Sequence, residues 1–301
     1  MDTPLEGAFG LAVAACLGLS VGSFANVVVH RVPRRGLSVN RPTRSFCPSC
    51  SRQLTWSENI PLLAWLALRG RCRTCSAPIP WRYPAVELLV GLLFVGLWWL
   101  SPPVDQDAVV WLGTGMLLAV TCVVVSAIDI EHLIIPDAIT LPGMLVGLVL
   151  SAVFPVLHEA HPGFDPGLDP GGAHGSSLLL AGAGMLAGGG SLWIVGQLGN
   201  LLLRARVQAA GIEDAMGLGD VKWMAAAGTF LGPLGVLDAI LAGCFTGALV
   251  GVAMKLAARM RGAPSPGGIP FGPFLCVGIL AQLAQPGAAW WLVSRVLVSP
   301  G

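Results

Sequence analysis

Eight apolar runs divide this chain, near residues 8–30, 84–101, 108–128, 138–157, 177–203, 221–233, 235–257 and 271–298. Crossing about 30 Å of hydrocarbon takes roughly 20 helical residues, and all but the sixth run reach or approach that length. Only 11% of the residues are charged and 54% are hydrophobic, whereas a soluble domain carries about 25% charge. The expected fold is an all-α polytopic membrane protein of about eight transmembrane helices. The sixth run, about 13 residues, reaches only some 20 Å as a helix. If Pro233 lies near one surface, Asp220 at the other end must sit recessed below the opposite one.

Charge sets the expected orientation. Residues 31–83 hold ten arginines and one acid, Glu58. Counting helices alternately places this loop and those at 129–137, 204–220 and 255–261 on one side. With their flanks they carry 16 of the 17 basic residues, all but Arg295. By the positive-inside rule that side is the cytoplasm. The first ten residues carry Asp2 and Glu6 and no basic residue, unlike a cleavable signal, so the first run is expected to remain as a helix with its N-terminus outside. The opposite loop at 158–174, rich in Gly, Pro and His, reads as solvated and irregular.

The 31–83 loop, between the first and second helices, contains Cys47-Pro-Ser-Cys50 and Cys72-Arg-Thr-Cys75. Two such pairs can close a tetrahedral zinc site of four thiolates, and a loop too small for a core gains its stability from the metal. A reducing compartment disfavours disulfides. Cys16, Cys122, Cys244 and Cys276 stand singly in apolar runs and read as packing residues. Within the loop, the apolar stretch 60–68 is either the core of the zinc unit or an interfacial helix resting on the membrane. Glu87, just inside the next helix, either pairs with a loop arginine or serves chemistry.

An ionisable group at a membrane helix needs a reason, because burying it there costs several kcal/mol. Asp220 in Met216-Gly-Leu-Gly-Asp-Val-Lys222 is such a group, and Gly217 and Gly219 leave room beside it for a neighbouring helix or an extended peptide. Asp129 ends the third run, and Asp137 follows Pro136, placed to bind free amides at the next helix start. Two carboxylates sharing one water cannot both ionise easily; one serves as base for the attacking water while its protonated partner bonds the peptide carbonyl. Peptide hydrolysis is the chemistry such a pair supports. The stretch Pro266-Gly-Gly-Ile-Pro-Phe-Gly-Pro-Phe274 either borders this site or is a capped turn. Gly243, Gly247 and Gly251 form a ladder for close helix contact.

In order along the chain stand Gly22-Ser-Phe-Ala-Asn-Val-Val-Val-His-Arg-Val-Pro33, the two CxxC pairs, Trp56-Ser-Glu-Asn-Ile-Pro61, Arg82-Tyr-Pro-Ala-Val-Glu87, Asp129 with Ile135-Pro-Asp137, Gly217 to Lys222, and Ile269-Pro-Phe-Gly-Pro273. With these the chain resembles the bacterial type IV prepilin peptidases, GxGD membrane aspartic proteases of the inner membrane. The resemblance implies Asp129 and Asp220 as the catalytic pair, with Asp137, Gly217, Gly219 and Lys222 supporting. It implies prepilin or type II secretion pseudopilin substrates, cut on the cytoplasmic side after a glycine of a short basic leader. It also implies, for the form bearing four cysteines, methylation of the new N-terminus by S-adenosylmethionine, with no cofactor-binding residue assigned. Residues 1–107, with the zinc loop, are then expected to be the methyltransferase-associated region and 108–301 the peptidase. The expected partners are the substrate and the bilayer, and no nucleic acid. A proton-coupled transporter or a non-catalytic zinc-bearing assembly protein are the alternatives, the first disfavoured because the acids gather at one face.

Overall fold

The computed structural model describes residues 4–34, 36–42, 44–167, 171–202, 216–262, 269–287 and 289. Nine α-helices stand among them: α1 (Pro4–Arg31), α2 (Leu63–Ala67), α3 (Arg82–Leu100), α4 (Gln106–His132), α5 (Asp137–Val153), α6 (Val156–Glu159), α7 (Gly172–Leu202), α8 (Leu218–Met260) and α9 (Gly272–Ala284). A 3-10 turn, Trp56–Asn59, precedes α2. Among the described residues α1, α3, α4, α7 and α8 are long and apolar enough to cross a membrane, and α5 and α9 are shorter apolar helices. The chain is thus all-helical and multi-pass. Five long and two shorter apolar helices among the described residues do not confirm the expected eight spans, because runs 221–233 and 235–257 fall within the single stretch α8. The 204–220 loop lies mostly, and the 290–301 end wholly, outside the described residues.

The chain divides into two compact units, 1–128 and 129–301. In the first, α1 and α3 pack antiparallel with a constant register. A Cβ on Gly10 would meet Trp98, one on Gly18 would lie 2.8 Å from the Gly91 backbone, and one on Gly22 2.8 Å from that of Glu87. Asn26 Nδ2 donates to the Tyr83 carbonyl at 3.0 Å. Small residues let the two backbones close, as expected where lipid supplies no hydrophobic drive between helices. At the last residue of α1, the buried Arg31 guanidinium donates to the carbonyls of Ser38, Val39, Pro42 and Arg44, tying the start of the loop to the helix.

In the second unit α8 is the central element, and its backbone breaks at Gly232 (φ 68°, ψ 176°), a left-handed conformation that glycine adopts without penalty. The contacts of α7 give the direction. A Cβ on Gly188 would strike both the Met224 carbonyl and Val236, and one on Gly184 both the Gly228 carbonyl and Gly232. Moving one turn along α7 therefore runs backward on one limb of α8 and forward on the other, so the chain reverses at Gly232. The two limbs correspond to the two runs read from sequence. The first also packs against α5 through Gly143 and Gly147, and the second against α9 through Gly243–Phe274 and Gly278–Ala239 contacts.

The break at Gly232, followed by Pro233 with no N–H of its own, leaves the Thr229 carbonyl without a helical donor. Ser151 Oγ donates to that carbonyl at 3.1 Å, and His158 Nε2 lies 3.3 Å from it. His158 is 2% exposed. The expectation of a solvated loop from residue 158 is corrected here: α6 folds back over the α8 reversal, because a carbonyl freed inside the protein has to find a donor.

Candidate functional site: two carboxylates and a four-thiol lobe

Asp129 lies in the last turn of α4, which ends in a turn at Leu133 (φ 54°). Asp220 lies in the first turn of α8, with Gly217 as N-cap. The two helix ends meet around Ile135, which lies against Gly272 beside Asp129 and against Gly219 next to Asp220. Asp129 is 6% exposed, and its Oδ2 accepts the Gly272 N–H at 2.9 Å. A Cβ on Gly272 would lie 2.7 Å from that oxygen, so only a glycine lets the α9 backbone come this close. Ile135 wedges the parts together. Its side chain faces Gly272, and its backbone packs on Gly219, where a Cβ would sit 3.1 Å from Ile135 Cβ.

Asp137 and Lys222 meet each other. Lys222 Nζ contacts both Asp137 oxygens, at 2.8 and 2.9 Å, with both side chains partly in solvent. The expectation that Asp137 binds free amides at its helix start is corrected, since α5 has Pro136 at its N-cap and no side-chain cap bond. The ammonium 85 residues away wins because it supplies a full charge. The pair ties α5 to the first limb of α8 beside the two acids. Sequence reasoning missed Gly272 as a direct partner of Asp129; its only signal was a glycine between Phe271 and Pro273. Residues 263–268 of the flanking stretch lie outside the described residues.

In the first unit, the sulfurs of Cys47, Cys50, Cys72 and Cys75 lie within 4.8 Å of one another, with Cys47 and Cys75 at 3.8 Å. A tetrahedral ion with metal–sulfur bonds of about 2.3 Å needs sulfur–sulfur edges of about 3.8 Å, so this donor set fits a metal. The two knuckles repeat one design. The Ser51 and Ser76 amides donate to the Cys47 and Cys72 carbonyls, with φ of 56° and 57° at the two serines. Backbone amides of Cys75 and Thr74 directed at the Cys72 sulfur bring its thiol down to about 6, favouring the thiolate that binds metal. Between the knuckles, Glu58 accepts from Arg52 at 2.5 Å and from the Thr55 amide and hydroxyl. The Arg52 bond first, then the Thr55 amide, hold its carboxyl down at about 2. Glu87 accepts the Leu62 N–H at 2.8 Å.

A multi-pass helical membrane protein with paired carboxylates in one unit and a four-thiol lobe in the other is the class these features define. A family model described as the bacterial peptidase A24 N-terminal domain matches residues 16–101, and one described as the type IV leader peptidase family matches residues 116–252. A Myxococcus xanthus protein named prepilin leader peptidase/N-methyltransferase is 36% identical over 98% of this chain and 79% of its own length. Proteins of the same name from Klebsiella pneumoniae (38%, over 71% of this chain and 82% of the relative) and Aeromonas hydrophila (33%, over 93% and 92%) are also similar. The chain belongs to the type IV leader peptidase family. No solved structure matches it.

Proposed function

We propose that this protein cleaves the leader peptides of type IV prepilins or type II secretion pseudopilins and N-methylates the new terminus, with Asp129 and Asp220 as the reacting pair. The observation that supports the reading is that helix ends carrying acids 91 residues apart in sequence pack on the same Ile135, through Gly272 beside Asp129 and Gly219 next to Asp220, in a chain whose relatives bear that name. The ionised member takes a proton from a shared water as its oxygen attacks the scissile carbonyl carbon. The protonated member donates a hydrogen bond to the carbonyl oxygen as negative charge develops there. Collapse of the tetrahedral intermediate breaks the C–N bond, and the amine leaves with a proton from the pair, whose titration belongs to both acids together. The Gly272 N–H commits one oxygen of Asp129 and so fixes the orientation of that carboxyl. Gly217 keeps a side chain away from the Asp220 carboxylate, Gly219 lets the start of α8 close on Ile135, and the Asp137–Lys222 pair positions the first limb of α8.

Zinc is the proposed metal of the Cys47, Cys50, Cys72 and Cys75 set, in a structural role, since four thiolates close its coordination shell. S-adenosylmethionine would supply the methyl group; no residue is assigned to hold it. The methyltransferase association falls to residues 1–107 and the peptidase to 108–301. The proposed setting is the inner membrane, with the N-terminus outside and the zinc lobe and both acids on the cytoplasmic side, where the basic loops gather.

Purified protein incubated in detergent with a prepilin should release the leader, and a mass spectrum of the product reports the cut and the added methyl together. If Asp129→Asn and Asp220→Asn each leave cleavage unchanged, the protease reading fails and a transporter or assembly role takes its place.

A further inference from the structure

The apolar stretch 60–68 is neither simply the core of the metal lobe nor free in water, and its depth can be read from α3. That helix has 19 residues, about 28 Å at 1.5 Å per residue, against about 30 Å of hydrocarbon. It has no length to spare, so its first residue, Arg82, marks the hydrocarbon boundary on the side of the lobe. Glu87 is five residues further, about 7 Å deeper along the helix. The Leu62 N–H, at the N-cap of α2, is bonded to the Glu87 carboxylate. The start of α2 is therefore held inside the leaflet.

The packing of α1 against α3 carries the same depth across to α1. Its register places Asn26 level with Tyr83 and Gly22 level with Glu87, so residues N-terminal to Val27 on α1 lie inside the boundary. A groove of about 280 Å³ is lined there by Ser20, Ser23, Phe24 and Val27 of α1 together with Ser45, Asn59 and Pro61 of the lobe. Lobe residues on both sides of the 3-10 turn thus reach the level of the membrane-spanning part of α1.

At that depth α2 is two-sided. Trp65 turns to the lobe, where its Nε1–H donates to the Ile79 carbonyl at 3.1 Å. Leu63 and Leu66, three residues apart and on a common helix face, are each 63% exposed. Left in water they would form an apolar surface without purpose. Immediately after α2, Arg69, Arg71 and Arg73 are all exposed, matching the phosphate level of an anionic leaflet.

We infer that α2 is a membrane-embedded foot of the metal lobe: Leu63 and Leu66 insert among the acyl chains of the lobe-side leaflet while the arginines behind them meet phospholipid phosphates. The occupant of this surface is phospholipid, because the start of α2 is bonded to Glu87 of α3 and Pro61 just before it shares a groove with Phe24 of α1, both helices long and apolar enough to cross a membrane. The foot moors the lobe flat on the bilayer and hides the polar start of α2 through the Glu87 bond. The inference stands apart from the proposed function, since it requires neither peptidase nor methyltransferase activity.

The test uses the full chain in nanodiscs of phosphatidylethanolamine and phosphatidylglycerol, with a nitroxide carried on p-acetylphenylalanine, so that no metal-binding cysteine is touched. Labels replace Leu63, Leu66 and, as an exposed control in the lobe, Gln53. Retained metal content reports that each labelled lobe is folded. Power saturation should show labels at 63 and 66 colliding with oxygen several-fold more than with a water-soluble nickel chelate, and the reverse at 53. Nickel access at all three sites overturns the inference. Protection from both reagents at 63 and 66 would mean a protein cover, a second copy or a substrate, and also overturns it. For the unmodified protein, a diazirine-bearing phospholipid should leave adducts within 62–68 on illumination; an unlabelled α2 beside labelled α1 and α3 rejects the foot.

Discussion

The loop lobe of the first unit and the helices of the second hold together by opposite means. The lobe relies on polar bonds: Arg31 to four carbonyls, Glu58 to Arg52 and Thr55, Glu87 to Leu62, and the four thiols. The second relies on backbones brought into contact. A Cβ on Gly184 would stand 2.0 Å from the Gly228 carbonyl, one on Gly147 1.8 Å from Thr229 Oγ1, and one on Gly278 1.9 Å from the Ala239 carbonyl. A loop too small to bury a core needs charges and a metal to order it. Helices in lipid gain nothing by hiding apolar surface from one another, so close van der Waals contact must order them. A tightly packed frame is also the setting in which two acids can be held in reach of each other.

The contrast can be broken or sharpened by measurement. The largest effect is expected at the acids. Asp129→Asn or Asp220→Asn should lower kcat/KM for prepilin cleavage by at least about 10²-fold, and up to about 10⁴-fold, as for loss of a general acid–base group. Metal content should stay at the native level, and methylation of a precut pilin should survive. Loss of both activities in a folded variant would contradict separate sites. Next, Cys47→Ser with Cys50→Ser should take zinc from about one per chain to none and remove hydrogen-exchange protection across 45–79. Cleavage should change far less than in the aspartate variants, and a native protein without metal would reject the site.

Overpacking should show whether backbone contact holds the second unit. Gly228→Ala should cost about 1–3 kcal/mol or more, read as a lower unfolding midpoint in detergent. Gly190→Ala on α7, with nothing within 4 Å of its Cβ, should be neutral. Equal effects would mean that backbone contact is not what holds the second unit. Ser151→Ala leaves the Thr229 carbonyl short of a donor and should cost about 1–2 kcal/mol. Lys222→Met removes a partly solvated ion pair, so stability should fall by less than about 1 kcal/mol, while cleavage drops several-fold because α5 and α8 lose their tie.

Acid titration gives the smallest effect. The Glu58 carboxyl is held below its usual range, at about 2, so its contribution is fully present above the ordinary carboxylate pKa of about 4.3 and fades as pH falls from there towards 2. With Arg52 partly open to solvent and the Glu58 side chain covered, such a pair at the lobe surface contributes about 1 kcal/mol. Glu58→Gln should flatten the acid limb of a lobe-unfolding curve, and an unchanged limb would remove Glu58 from the polar bonding that marks the first unit.

Much of this protein is written in one dimension. Apolar run lengths select membrane helices, since hydrocarbon thickness is fixed, and CxxC spacing brings two thiols of a pair within reach of one ion. The position of Asp129 and Asp220 at the ends of such runs marks both as costly and therefore as candidates. What the linear pattern does not carry is which distant partner satisfies each polar group. Asp137 reads as a helix-start acid and instead takes Lys222; His158 reads as loop and instead is buried beside a carbonyl that Pro233 leaves free; Gly272 reads as turn chemistry and instead donates to Asp129. Each outcome depends on helix register and on where the backbone reverses at Gly232. Those distances exist only once α5, α7, α8 and α9 are packed, and hydrogen bonds fall off too steeply with distance to be fixed by anything less.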